Sequence, residues 1–195
     1  MKIIGLTGSI ASGKSSVSQM FRHLGIPVHD ADKTVHELMG AYGLAVPELL
    51  SIFGNIGSVD QGINRKKLGE IVFSDESAKY ELESIIHPLV WRDRNKFLEQ
   101  MRHNRKKVII VDIPLLFETG SNVICNKVIC VWAPIFLLRQ RALKRAGMTS
   151  DKLNAILHHQ LPQYEKMRLA DFCLPSGLGK AYSFKLLKRW LITQR

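Results

Sequence analysis

The chain has 195 residues, with 28 Lys and Arg against 17 Asp and Glu for a formal charge of +11. At 46% hydrophobic and 23% charged residues it can bury a core, which excludes disordered, collagen-like and coiled-coil classes. No apolar run approaches the roughly 18 residues of a membrane span, and the N-terminus lacks the segments of a signal peptide. The expectation is a cytoplasmic protein with no membrane partner, whose positive excess favours a polyanionic one.

In chain order, Lys2 to Thr7 is an apolar run closing on Gly8, which predicts a strand. Val17, Met20, Phe21 and Leu24 then recur at helical spacing, predicting a helix over Ser15–Leu24 stopped by Gly25. Ile26 to Asp30 reads as a second strand. Helical patterns follow at Thr34–Met39, Leu44–Phe53, Arg65–Phe73 and Ala78–Met101, interrupted by the turn-rich run from Gly54 to Ser58, with no strong strand among them. Lys107 to Ile113 and Lys127 to Trp132 read as the third and fourth strands. A helical pair, Ile135–Arg145 and Ser150–Gln160, separates them from a short fifth strand at Phe172–Leu174, and an amphipathic helix spans Tyr182–Ile192. Near-continuous apolar strands separated by helices predict an α/β fold with a parallel sheet covered on both faces.

The sequence Gly8-Ser9-Ile10-Ala11-Ser12-Gly13-Lys14-Ser15 fits G-x-x-x-x-G-K-[ST] at every fixed position, after a strand and opening a helix. Such a loop turns its backbone N–H groups inward and adds the positive end of the helix, so it binds phosphates. Lys14 is placed to reach the β and γ phosphates of ATP, and the Ser15 hydroxyl to ligate Mg²⁺, a hard cation that takes oxygen ligands. A GTPase would need an N-K-x-D motif, and Asn126-Lys127-Val128-Ile129 lacks the Asp. The first turn has no G-x-G-x-x-G, which disfavours a nicotinamide enzyme. A helical insertion and a later helical excursion suit a small-molecule kinase, which needs an acceptor pocket and a movable cover.

The ordered motifs resemble those of the dephospho-coenzyme A kinases: Leu6-Thr7-Gly8 to Ser15, Asp30-Ala31-Asp32, Ile86-His87-Pro88-Leu89, the run from Asp112 through Pro114-Leu115-Leu116-Phe117 to Glu118, Arg141 and Arg145, and Gln160, Lys166, Ala170 and Asp171. The resemblance implies a parallel five-stranded P-loop kinase core with a helical substrate-binding insertion and a helical lid. It divides the chain into a core at 1–32, 104–134 and 166–195, a helical CoA-binding region at 33–103 and a lid at 135–165. It implies transfer of a phosphoryl group from ATP, with Mg²⁺, to the ribose 3′-hydroxyl of dephospho-CoA, the last step of coenzyme A synthesis. Binding of ATP falls to Gly8 through Ser16 (Gly8, Ser9, Ile10, Ala11, Ser12, Gly13, Lys14, Ser15 and Ser16), and contact with the acceptor to Thr7, Asp32, His36, His87, Leu115 and Leu116. The chain departs from the family pattern at Phe136, Leu138 and Ser176, where an acidic residue, a Gln and an Asn are usual.

Taken from the residues themselves, Asp32 is either the base that accepts the proton of the attacking hydroxyl or a helix N-cap. Asp112 either holds Mg²⁺ through water at the end of its strand or hydrogen-bonds Ser15 or a loop N–H. His87 contacts substrate or fixes a kink before Pro88, and His36 lies one turn after Asp32. Arg141 and Arg145, four apart on one helix, are expected to bring cationic charge to the phosphates as the lid closes. The run from Arg102 to Lys107 reads as a solvated loop and not a nucleic-acid site, Trp91 and Trp132 as core, and Cys125, Cys130 and Cys173 as buried reduced thiols. The alternatives are a nucleoside or nucleotide kinase and, from a different class, an ATP-regulated nucleic-acid-binding switch.

Overall fold

The computed structural model describes residues 1–194. The chain forms two compact units, one of residues 1–29 with residue 105 onward, the other of residues 30–104.

The first unit is built on β1 (Lys2–Thr7), which leads through the phosphate loop into α1 (Lys14–His23). The chain continues through β2 (Val28–Asp30) at the unit boundary, and the second unit follows with α2 (Ala31–Leu38), α3 (Val46–Phe53), β3 (Gly57–Ser58), β4 (Gly62–Ile63), α4 (Arg65–Ser74) and α5 (Glu76–His103). Back in the first unit come β5 (Val108–Asp112), a 3₁₀ turn at Ser121–Ile124, β6 (Lys127–Trp132), α6 (Ile135–Leu143), α7 (Ser150–His159), α8 (Gln163–Leu169), β7 (Phe172–Pro175) and α9 (Lys180–Ile192).

The sheet runs β2-β5-β1-β6-β7. β1 pairs in parallel with β5, Lys2 opposite Val108 and Leu6 opposite Asp112, and with β6, Ile4 opposite Lys127. β7 pairs in parallel with β6, Cys130 opposite Cys173. These strands are apolar along their length because helices cover both faces, so no alternation is needed. Ile4, Leu6, Ile110, Ile129 and Leu174 form the core with Val17 and Phe21 of α1 and Leu187 of α9. The ring of Trp190 stacks on Phe172 at 5.1 Å and 7°. The register puts the ends of β1 and β5 side by side, so the loop after Thr7 lies at the same sheet edge as Asp112.

The second unit has its own core, in which Leu38, Leu49, Ile56, Leu68, Ile85 and Ile86 meet. Side chains cap α2, α4 and α5: Asp30 accepts from the N–H of Lys33, Asn64 from those of Lys66 and Lys67, and Asp75 from that of Ser77. The turn-rich run after α3 contributes to a short antiparallel hairpin, β3 with β4, where no strong strand was expected. Two residues per strand are too few to show a period of two. α5 continues through Pro88 as one helix of 28 residues. Trp91 is 45% exposed and is not core. Cys130 alone of the three thiols is fully buried, Cys125 and Cys173 being half-buried.

Candidate functional site

Between β1 and α1 the backbone makes a turn that few residues tolerate. Gly13, the last residue before α1, has φ +93°, and Ala11 has φ +58°, a conformation costly for side chains other than glycine's. At Gly8 a Cβ would lie 2.5 Å from the carbonyl of Val131 and 2.6 Å from Ser12 Oγ, so only glycine lets the loop approach β6. Ser12 N–H donates to the Ser9 carbonyl at 3.0 Å, and Ser16 N–H to that of Gly13 at 3.0 Å. α1 has no side-chain cap and no acidic residue in its first turn. Its N-terminal donors and positive dipole end are therefore kept for an anion.

Lys14 and Ser18 are four apart, hence on one face of α1, and both meet the carboxylate that ends β5. Lys14 Nζ lies 2.5 Å from Asp112 Oδ1, and Ser18 Oγ donates to Asp112 Oδ2. Asp112 is 2% exposed and Lys14 13%. A buried carboxylate needs such partners, since desolvation without them would favour the neutral acid. The alternative reading of Asp112, a hydrogen bond with Ser15 or a loop N–H, finds its counterpart in the bond from Ser18, Ser15 lying exposed in the first turn. Magnesium takes a few hard oxygen ligands and keeps several waters. The exposed Ser15 hydroxyl suits a direct ligand, and Asp112, both oxygens already bonded to protein, suits contact through water. This donor set fits the ion. Among the described residues no cluster of three His, Cys, Asp or Glu forms a metal cage.

Three further segments meet at the loop. Gln160, which ends α7, accepts the N–H of Ile10 on Oε1 at 3.0 Å. Ala142 of α6 and Leu153 of α7 pack with Ala11, and Ile10, Met148 and Leu157 pack against them. Arg141 of α6 donates to Ser176, which follows β7. Arg141 is thus held at the loop by contacts within the chain, and the expectation of an arginine delivered only by closure does not describe it. Arg145 differs, because α6 ends at Leu143 and Arg145 is exposed in the turn beyond. Helical periodicity therefore does not put the two arginines on one face. Of the departures from the family pattern, Leu138 is buried, Phe136 is 66% exposed, and Ser176 is the partner of Arg141.

The loop after β5 is tied down from below. The Pro114 carbonyl accepts from Thr7 Oγ1 at 2.9 Å and from Lys166 Nζ at 3.0 Å. Lys166 is completely buried, and its Nζ pairs with Glu118 Oε1 at 2.8 Å, an oxygen that also accepts the N–H of Leu161 at 2.8 Å. Thr7 and Leu116 were expected to contact the acceptor, and both are fully buried. The Thr7 hydroxyl is committed to Pro114, and Leu116 packs where a Cβ on Gly5 would lie 2.8 Å from it. Neither presents a surface to substrate. Leu115 is 39% exposed.

In the second unit Asp32 is exposed in the first turn of α2, where the dipole favours a carboxylate. The cap of that helix is Asp30, so capping does not account for Asp32. His36 is exposed in the last turn of α2. His87 is half-buried in α5 with its ring 6.0 Å from that of Trp91. The residues missed by sequence reasoning are Ser18 and the roles of Gln160, Lys166, Glu118 and Ser176. Only Ser18 had a local signal, its spacing of four from Lys14.

Comparison with known proteins agrees with this architecture. The family described as "Dephospho-CoA kinase" matches residues 2–178. A dephospho-CoA kinase of Rhodospirillum rubrum is 46% identical over 193 residues, 99% of this chain and 92% of that protein. One from Mesorhizobium japonicum is 47% identical over 180 residues, 92% and 89% of the two chains. Among solved structures, TT1252 of Thermus thermophilus superimposes with a TM-score of 0.85 at 28% identity over 99% of this chain and 97% of that one. The dephospho-CoA kinase of Campylobacter jejuni gives 0.64 at 30% identity over 98% and 96%. With a phosphate loop of this geometry and a family match spanning nearly its whole length, the chain belongs to the dephospho-CoA kinase family.

Proposed function

We propose that the protein transfers the γ-phosphoryl group of ATP to the ribose 3′-hydroxyl of dephospho-CoA, giving coenzyme A and ADP in the cytoplasm. The observation that carries this reading is the family match over residues 2–178, supported by the uncapped, lysine-bearing loop. The bond between the γ phosphorus and the β,γ-bridging oxygen breaks, a bond from that phosphorus to the 3′-oxygen forms, and the hydroxyl proton leaves to a base. The loop N–H groups and Lys14 hold the phosphates and offset the charge that spreads over the transferred group. A magnesium ion at Ser15, with Asp112 behind it through water, would neutralise charge on the β and γ oxygens. Moving from Asp112 to the phosphates exchanges one anionic partner of Lys14 for another, and Ser18 remains on the carboxylate. Asp32 is the base, and His36, His87 and Leu115 belong to the acceptor's surroundings. Segment 135–165 is the lid, and Arg141, already held beside the loop by Ser176, is a cation on the phosphates that does not wait for closure.

The reading is tested by incubating purified protein with Mg-ATP and dephospho-CoA and following ADP release and CoA formation. Lys14→Ala should remove most of the rate, since Lys14 acts as a charge on the transferred group, and should also lower the melting temperature, because it leaves the buried Asp112 with Ser18 as its remaining side-chain partner. Phosphorylation of nucleosides or nucleoside monophosphates without CoA formation would reassign the acceptor.

A further inference from the structure

Arg141 and Ser176 come from different elements, α6 and the segment after β7. The guanidinium donates from Nη1 to Ser176 Oγ and from Nη2 to the Ser176 carbonyl, each at 3.0 Å. The Ser176 hydroxyl donates its own proton to the carbonyl of Ser12 inside the phosphate loop. A serine hydroxyl has a single proton, so that proton is committed to the loop while an oxygen lone pair takes Arg141. Ser176 is itself fixed to the sheet, its N–H donating to the Trp132 carbonyl at 2.9 Å. A Cβ on Gly13 would lie 3.2 Å from Ser176 and 3.8 Å from Arg141 Nη1, so the guanidinium stands beside the turn where the loop enters α1.

We infer that Ser176 is a positioning residue that tethers the Arg141 guanidinium to the phosphate loop and thereby sets the affinity for the nucleoside triphosphate. An arginine side chain left to itself samples many rotamers, and ordering it on binding weakens the complex. The two bonds to Ser176 remove that cost in advance. They use part of the guanidinium's five-donor fork and leave its other N–H groups and its full charge for phosphate oxygens. An Asn side chain at this position would likewise offer an acceptor for Arg141 and a donor for a carbonyl.

The inference rests on the kinase reading only for the identity of the loop's ligand as ATP. Its test therefore reads ATP affinity with no acceptor present. Mg-ATP is titrated calorimetrically into wild type, Ser176→Ala, Ser176→Asn, Arg141→Ala and the double variant Ser176→Ala with Arg141→Ala, with Arg139→Ala as a control for helix charge. Ser176→Ala should weaken ATP binding roughly tenfold, the scale of one hydrogen bond to a charged group. Ser176→Asn should restore it, and KM for dephospho-CoA should not move. With Arg141 already absent, Ser176→Ala should change affinity by less than about twofold, because the two residues act as one. A loss through Ser176→Ala that persists undiminished without Arg141 would mean that the serine acts on the loop alone, and overturns the inference. So would unchanged ATP affinity in Ser176→Ala. If Arg141→Ala does not fold, Arg141→Lys takes its place in the cycle, since one ammonium cannot reproduce the fork. A wild type that binds ATP but makes no CoA overturns the acceptor assignment and leaves the tether's result intact.

Discussion

Asp30 and Asp32 are two residues apart and do different work. Asp30 accepts the N–H of Lys33 and starts α2, whereas Asp32 stands exposed one residue into the helix. Removing a cap costs about 1 kcal/mol, a fall of roughly 2–4 °C in melting temperature for a chain of this size. Asp30→Ala should therefore lower the melting temperature by that amount. Asp32→Asn should leave it nearly unchanged while lowering kcat roughly 10²- to 10⁴-fold, the usual contribution of a positioned base, with ATP binding intact. Differential scanning fluorimetry beside steady-state kinetics separates the two, and full turnover in Asp32→Asn would remove it from the mechanism. At this scale the phosphate loop was legible in the sequence, because its chemistry sits in eight consecutive residues. The bonds of Ser176 to Ser12 and of Gln160 to Ile10 were not, since they join residues 164 and 150 apart, and nothing local distinguishes a serine or glutamine that will make such a bond.

Among the elements, the strands of the sheet declared themselves as apolar runs, and the long helices by their spacing. α8 escaped because its seven residues give under two full turns of pattern, and Lys166 within it entered only as part of the family resemblance, with no burial or partner attached to it. Its burial follows from what waits for it, a carboxylate at Glu118 and the carbonyl of Pro114. Through these contacts α8 holds the loop after β5 and, by way of the Leu161 N–H on Glu118, the segment that carries Gln160 to the phosphate loop. Breaking a buried pair from one side costs roughly 3–5 kcal/mol. Lys166→Met should fall at or below the lower end, because Glu118 keeps Leu161 and some exposure to water. Adding Glu118→Gln to Lys166→Met should recover part of the loss. Thermal unfolding of the single and double variants measures both, and a Lys166→Met protein as stable as wild type would show the pair to be dispensable.

At the level of the whole molecule, the +11 charge fits a catalyst whose two proposed substrates are polyanions. Long-range attraction raises encounter rates and is screened over about 8 Å at physiological ionic strength. kcat/KM for both substrates should thus decline as salt rises from 20 to 300 mM, on the order of tenfold in total, with kcat much less affected. Stripping divalent cations with EDTA should abolish turnover, and Mg²⁺ should restore it. A salt-independent kcat/KM would detach the charge from catalysis. No helix among the described residues is long and apolar enough to cross a membrane.

Coenzyme A is a thiol, and its oxidised forms exchange with any protein thiolate they meet, so an enzyme that makes it faces its own product as a reagent. Cys130 lies on β6, buried opposite Cys173 of the edge strand β7, and burial pushes its thiol up to about 12, with Cys173 adding to the rise and Lys166 opposing it. Burial raises Cys173 as well. Only the thiolate attacks a disulfide, and at pH 7 to 8 Cys130 holds almost none. The strand beside the phosphate loop is thereby inert to mixed-disulfide formation. Incubation of the folded protein with CoA disulfide at pH 7.5, followed by peptide mass spectrometry, should find Cys130 unmodified, and rapid adduct formation there would show that the sheet opens far more readily than its packing implies.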